Sequence, residues 1–494
     1  MRSNKARRKP SLVLGTFFTV STRWVDRFIG IVSTLILARL LVPEDFGIIA
    51  MASIVIGLAD VLLDLGVNVA LVQNPEATQA HFDTAWTIRL VQTSVATAIV
   101  IFAAPFAAAY FKDPRIEPVL YVMSMSLLIA GMENIGVVAF QKELRFGAEF
   151  RFVFMRRLAG FLVTVIAVWF LRSYWALVIG TLAGRIVGVL LSYAVHPMRP
   201  RLSLAKFREI FSVSQWMLAR SIGGYIETNL HRALVGRSSS AATMGAYTMA
   251  DEISAMPTGE ILAPLNRVLF PAFAASRDNL QELKRLFLRA QSVQALITIP
   301  AAVGLALVAD DAVRLLLGDK WLVAVPFIQV LTMVNVSQAL TTSSSYVLIV
   351  LGKVRHSVIS MWLLICIFGV LAVTVFEGAK PLEIAWLRLI VGTCGGVGIA
   401  CWLLVRALPI VRYRELFGTS VRPILGSAGM AVALIAAAPY IQLPIGAAIF
   451  AKIALGTTTY LTLVLAMWRL AGKPEGAESY LLNMAKMLVE RLRN

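Results

Sequence analysis

The stretch STRWVDRFIG, Ser21 to Gly30, places Arg23, Asp26 and Arg27 inside an apolar run that extends from near Leu12 to Val42. A charge within a helix of hydrocarbon length is costly, so it pairs, faces an aqueous cavity, or does both. Arginine keeps its charge and offers a planar fork that fits carboxylate or phosphate bidentately. The chemistry open to such residues is the holding of an anion. Two carboxylates are placed to meet them. Arg27 lies 16 residues before Pro43 and Asp60 lies 17 after it; Arg23 lies 20 before and Asp64 21 after. If the two runs form a hairpin turning at VPEDFG, each Arg and Asp reaches the same depth, roughly 25–30 Å from the turn at about 1.5 Å per residue.

Two readings of this constellation stay open. In one, buried ion pairs Arg27–Asp60 and Arg23–Asp64 lock a hairpin. In the other, a cationic patch lines a cavity that accepts an anion, with Arg220 of a later run facing Arg27 across a two-fold cleft. Other charges within or near apolar runs include Arg89, Arg185, Arg267, Glu133 and Glu227. Glu133, in LLIAGMENIGVVAF, stands out because its neighbours are apolar for many residues. Glu133 and Glu227 are candidates for a coupling cation, H+ or Na+, or for structural pairing. Pro257 and Pro264, flanking Glu260 in MPTGEILAP, are the candidate hinge, since proline removes a helical hydrogen bond.

The elements that must carry these residues are transmembrane helices. The chain has 494 residues, is 58% hydrophobic and 15% charged, and has a mean hydropathy of +0.77. Runs of about 20 apolar residues, each enough to span a bilayer, recur almost throughout. About fourteen are expected, from 12–41 to 446–469, and twelve would fit the charges nearly as well. The net charge of +18 is concentrated in alternate loops. That is the positive-inside pattern, which argues against nucleic acid as a partner and places both termini in the cytoplasm. The basic N-terminus precedes a run too long for a cleavable signal.

The fold class expected is therefore all-α and polytopic. Residues 1–11 form a basic cytoplasmic tail, 12–195 a six-helix bundle, 209–408 a second six-helix bundle, 424–469 two extra helices and 470–494 a basic tail. An internal echo supports two pseudo-symmetric bundles: a shift of 193 superposes Arg27 on Arg220 and Arg39 on Arg232, with a small length difference in the turn that follows. Repeats of an even number of spans keep one orientation and relate by an axis along the membrane normal. No phosphate-loop motif, zinc-protease motif or metal-ligand spacing occurs, and the three cysteines lie in apolar runs. GTCGGVG, Gly392 to Gly398, sits in an apolar run and reads as close helix packing.

Several polar loop motifs carry a resemblance. ARLLVPEDFGIIAMA, DLGVNVALVQ, AFQKELRF, NRVLFPAFAASRDN and LLLGDKWLVAVPFIQVL, in that order between about residues 12 and 355, resemble the polysaccharide transporter family of Wzx-type flippases. The last 140 residues match in hydropathy only. The resemblance implies the multidrug/oligosaccharidyl-lipid/polysaccharide exporter fold, with two bundles around a central cavity and no enzymatic activity. It implies translocation of undecaprenyl-diphosphate-linked repeat units across the bacterial inner membrane by alternating access. The implied partners are the lipid-linked oligosaccharide, membrane lipids, and polymerase and export machinery. Cavity cations would hold the diphosphate, and on depth alone these are Arg23, Arg27 and Arg220, with Arg89 and Arg267.

The alternatives are a cation-coupled multidrug-type antiporter on the same fold, a membrane-bound polymerase or glycosyltransferase, and a lipid II flippase. The antiporter would favour acidic and aromatic cavity residues. The enzymes usually carry a large soluble domain or a long loop, which is not visible here. The loop motifs fit a lipid II flippase less well.

Overall fold

The computed structural model describes residues 12–63, 66–74, 76–210, 215–374, 378, 380–473, 476–480, 487 and 490. Among them the regular structure is helical, with no strand. In chain order the helices are α1 (Leu12–Leu40), α2 (Pro43–Leu63), α3 (Val67–Gln73), α4 (Gln79–Phe111), α5 (Ile116–Gly131), α6 (Ala139–Lys142), α7 (Phe146–Leu171), α8 (Trp175–Val195) and α9 (Phe207–Ile210). There follow α10 (Gln215–Ser238), α11 (Ala241–Ala275), α12 (Leu280–Leu316), α13 (Val325–Val350), α14 (Val354–Thr374), α15 (Pro381–Ile390), α16 (Gly398–Ala407), α17 (Tyr413–Ala437) and α18 (Ile445–Leu470).

Among the described residues ten helical stretches are long and apolar enough to cross a membrane, or eleven if α5 and the segment Ile135–Lys142, bent by 66°, form one broken span. The long helices α1, α10 and α11 fall outside that group. They carry Arg23, Asp26 and Arg27; Arg220, Glu227 and Arg232; and Asp251, Glu252, Glu260 and Arg267. The chain is thus a multi-pass membrane protein whose polar helices are those the sequence singles out.

The chain forms two compact units, Met1–Gly245 and Ala246–Asn494. In the first, α4 packs on α5, α7 on α8, and α5 on α8. The α7–α8 seam is lined by Gly160, Gly180 and Gly184. A Cβ at Gly160 or Gly184 would lie 3.4 Å from the facing glycine's Cα, and one at Gly180 would collide with Thr164. Small residues let membrane helices approach closely enough for dispersion to hold them, since lipid supplies no hydrophobic drive.

Among the described residues the main packing of the first two spans is with other helices. α1 runs along α7, while α2 is held by α4, α5 and α10. Between Asp45 and Asp60 α2 carries no charge, so it can be covered on several sides, whereas α1 has a charged middle.

The VPEDFG turn is a polar knot. Asp45 accepts from the backbone N–H of Val42 at 3.1 Å and of Tyr174 at 2.9 Å. Glu44 pairs with Arg115 at 2.7 Å, and Arg115 also holds Asp113 at 2.7 Å. In this loop the Arg115 guanidinium holds the Asp113 carboxyl below the usual carboxylate range, and its two acidic partners raise Arg115. Just beyond, the first turns of α2 and α11 cross at Gly47 and Gly245. A Cβ on Gly47 would collide with the Ala241 carbonyl, and one on Gly245 with the Pro43 carbonyl. The contact is reciprocal at a shift of 198 residues.

The linker after α8 is strapped to α4. Backbone N–H groups of Arg201, Ser203 and Lys206 donate to Asp83, Thr87 and Thr84, and His81 meets Glu209 at 2.8 Å.

In the second unit α12 is the hub, packed by α13, α17 and α18. The last two helices are therefore fixed to α12. Tyr460 donates to the Leu296 carbonyl at 2.7 Å, Lys452 pairs with Asp311, and Met430, Leu434, Tyr460 and Val464 form a buried cluster. Gln294, fully buried, accepts from Ser343 and donates to Asn266. The glycine run forms a π-helix, Val391–Val397, between α15 and α16. Gly395 lies against Leu364.

Candidate functional site

The residues brought together at depth lie in the first unit. Arg89 is ten residues past the start of α4, Arg156 ten past the start of α7, and Arg185 ten before the end of α8. At about 1.5 Å per residue each is roughly 15 Å from the helix end on one side of the unit. Glu133 enters the same level at the break after α5. Its Oε2 lies 3.5 Å from Arg156 Nη1 and 3.9 Å from Arg89 Nη2. Arg185 is close enough to interact electrostatically with Arg89, Arg156, Glu133 and Asp60.

Local structure explains each placement. Gly131 lets α5 meet α4 at Thr93, one turn beyond Arg89. The chain then breaks at Met132–Asn134. Asn134, fully buried, accepts from the Gly136 N–H at 2.9 Å and donates to the Met198 carbonyl at 2.8 Å. Its own N–H goes to Ser192, and the Met132 carbonyl accepts from Tyr193. The freed backbone groups are thus satisfied by α8, as an apolar medium demands. The broken turn sets the Glu133 side chain inward, 8% exposed. Arg156 lies over the Phe152 ring at 5.5 Å and crosses α8 at Gly188, where a Cβ would stand 2.7 Å from Arg156 Cδ.

Three guanidinium groups against one contacting carboxylate leave an excess of positive charge. The side chains of Arg89 and Arg156 are 23% and 33% exposed, so the cations are reachable while the acid is not. Electrostatics in such a partly desolvated setting is much stronger than in water. The arrangement suits a phosphate-like anion and repels a cation. No group of three His, Cys, Asp or Glu residues that could hold a metal occurs among the described residues.

The structure brings together Arg89, Glu133 and Arg185, all noted in the sequence as charges within or near apolar runs, and adds Arg156. Arg156 was missed because RFVFMRRLAGF reads as the start of a span, whereas α7 begins at Phe146. Arg27 is half-buried on α1, Asp60 is exposed on α2 and Glu227 is exposed on α10. Asp64 and the side chains of Arg23, Arg220 and Glu260 lie outside the described residues. Arg267 is exposed on α11 in the second unit, and Pro257 and Pro264 lie within that uninterrupted helix. The second unit has its own buried pair, Arg388 with Asp251 at 2.8 Å.

A family model described as "Polysaccharide biosynthesis protein" matches residues 36–326, more than half the chain. The lipopolysaccharide biosynthesis protein WzxC of Escherichia coli is 28% identical over 62% of this chain and 63% of its own length. The teichuronic acid biosynthesis protein TuaB of Bacillus subtilis is 24% identical over 76% and 78%. The succinoglycan biosynthesis transport protein ExoT of Rhizobium meliloti is 24% identical over 80% of each chain. Among solved structures, the lipid II flippase MurJ superposes with a TM-score of 0.73 at 14% identity, over 92% of this chain and 99% of its own. An inward-facing MATE family transporter of the MOP superfamily superposes at 0.59, also at 14% identity, over 80% and 96%. The chain thus shares the fold of these two structures. With a family model covering both the VPEDFG knot and the arginine level of the first unit, the chain belongs to the polysaccharide biosynthesis protein family, the Wzx-type group that its loop motifs resemble.

Proposed function

We propose that this protein is a flippase that translocates an oligosaccharide linked to undecaprenyl diphosphate across the bacterial inner membrane, for exopolysaccharide or other surface polysaccharide. The observation that carries the reading is the excess of arginine over carboxylate at one level inside the first unit, in a chain of this family. A lipid diphosphate diester bears two negative charges, and arginine recognises phosphate oxygens bidentately. Arg89, with Arg27, Arg23 and Arg220 on the polar helices α1 and α10, would engage that diphosphate. Arg267 would serve the second unit. Turnover follows alternating access, in which the substrate favours one facing over the other by differential affinity. Pro257 and Pro264 are the proposed bending points.

The names of WzxC, TuaB and ExoT speak of three different polymers, consistent with a shared lipid-phosphate handle and a variable sugar. The reciprocal Gly47–Gly245 contact supports an origin by repeat of a six-helix half. Both termini would lie in the cytoplasm, on the side of the basic loops. Polymerase and export proteins are the proposed neighbours. Of the two acids considered for coupling to H+ or Na+, Glu133 lies among arginines, which leaves Glu227 as the better site.

The test is export complementation in a strain lacking its own polysaccharide flippase, at matched membrane expression. Wild type should restore surface polysaccharide, Arg27→Ala and Arg89→Ala should lose it, and Arg27→Lys should keep part. Normal export by both alanine variants would remove the arginines from the site. Failure of the wild type in several strains with different sugars would favour the antiporter.

A further inference from the structure

The arginine level differs from the buried ion pairs described in the second unit. In the second unit Arg388 meets Asp251 and Arg422 meets Glu478, each at 2.8 Å. Those contacts are shorter than either arginine contact of Glu133. In the first unit Glu133 is shared between Arg156 at 3.5 Å and Arg89 at 3.9 Å, both through the same oxygen. Arg185 has no carboxylate within ion-pair distance among the described residues; its interactions with Glu133 and Asp60 are longer-range. A single carboxylate under-fills a site built for more negative charge.

The backbone around Glu133 is pinned. Asn134, Ser192 and Tyr193 satisfy the broken turn on both sides. The side chain can therefore leave by rotation about its own bonds without unwinding the span. With Glu133 turned away, no carboxylate among the described residues would remain within ion-pair distance of Arg89, Arg156 or Arg185, an excess of positive charge that suits a phosphate or diphosphate ester.

We infer that Arg89, Arg156 and Arg185 form a phosphate-ester site whose resting occupant is the Glu133 carboxylate, displaced when a phosphate or diphosphate group arrives. Glu133 is then a built-in competitor. It keeps the arginines paired in the empty protein and sets the affinity low enough for release. The identity of the natural anion rests on the translocation reading above; the site itself rests on geometry and charge. The same chemistry is offered by a lipid-linked diphosphate and by the headgroup phosphate of an ordinary anionic lipid.

The experiment uses the full-length protein in nanodiscs of zwitterionic lipid, titrated with inorganic pyrophosphate by calorimetry. Glu133→Gln keeps the shape and removes the competing charge, so affinity should rise about tenfold. Arg156→Gln and Arg185→Gln each remove a charge-assisted contact, and affinity should fall about ten- to hundredfold. Arg156→Lys should fall less, and melting temperatures verify that each variant is folded. Pyrophosphate binding that is absent in both wild type and Glu133→Gln, or weaker in Glu133→Gln, overturns the inference. A repeat with phosphatidylglycerol in the disc separates the sources. Competition assigns the site to lipid headgroups, and none assigns it to the diphosphate. The export assay distinguishes the two failures. Unaltered pyrophosphate binding in all variants with normal wild-type export sinks this site and leaves the flippase reading standing. The expected order of affinities without export in any strain does the reverse.

Discussion

Asp251 and Arg388 test whether charge balance separates structural pairs from ligand sites. They meet at 2.8 Å with side chains 9% and 13% exposed, joining α11 to α15 inside the second unit. Asp251→Ala would leave a guanidinium buried without its counter-charge. Breaking a buried pair from one side costs about 3–5 kcal/mol, whereas replacing both partners by apolar residues is often neutral or stabilising. For a unit of this size each kcal/mol moves the melting temperature by about 2–4 °C, so the single variant should melt roughly 6–20 °C lower. The double variant Asp251→Leu with Arg388→Met should recover most of that loss. Melting of purified protein in detergent reads the stability, and polysaccharide export at matched expression reads the function. The double variant should be stable and active. A double variant that is stable but exports nothing would refute the reasoning, because it would place this buried pair in the transport path.

Three further outcomes follow from the geometry. Gly188→Ala puts a methyl 2.7 Å from Arg156 Cδ and should weaken pyrophosphate binding several-fold with little change in melting, whereas Gly418→Ala, with open space around it, should change neither. Asp45→Ala orphans the N–H groups of Val42 and Tyr174 and should cost about 1–3 kcal/mol, read as a lower melting temperature. Asp113, held below the ordinary carboxylate range by Arg115, stabilises the fold only while ionised. Its contribution is complete above the ordinary value near 4 and is lost as pH falls through the lowered one. The melting difference between wild type and Asp113→Asn should therefore be present at pH 7 and vanish toward pH 2.

The apolar runs made the helices and the membrane legible, because a bilayer admits few alternatives to a helix with all its backbone groups paired. Glu133 and Arg89 were legible as isolated charges in apolar surroundings. Their meeting was not, since they belong to different helices and touch only where Gly131 lets α5 approach α4. Arg156 escaped notice because aromatic residues in FGAEFRFVFM blur the edge of a span.

By itself the sequence determined the multi-pass helical class, the polar character of α1, α10 and α11, and the family motifs. These are local properties, set by hydropathy over one helix length and by short polar turns. Only the tertiary structure decided which helices neighbour one another: among the described residues α1 lies on α7, α18 lies on α12, and two arginines from two helices share one carboxylate with a third arginine nearby. Packing between membrane helices depends on small residues and on buried polar groups many positions apart, and no periodicity along the chain encodes which partner they will find.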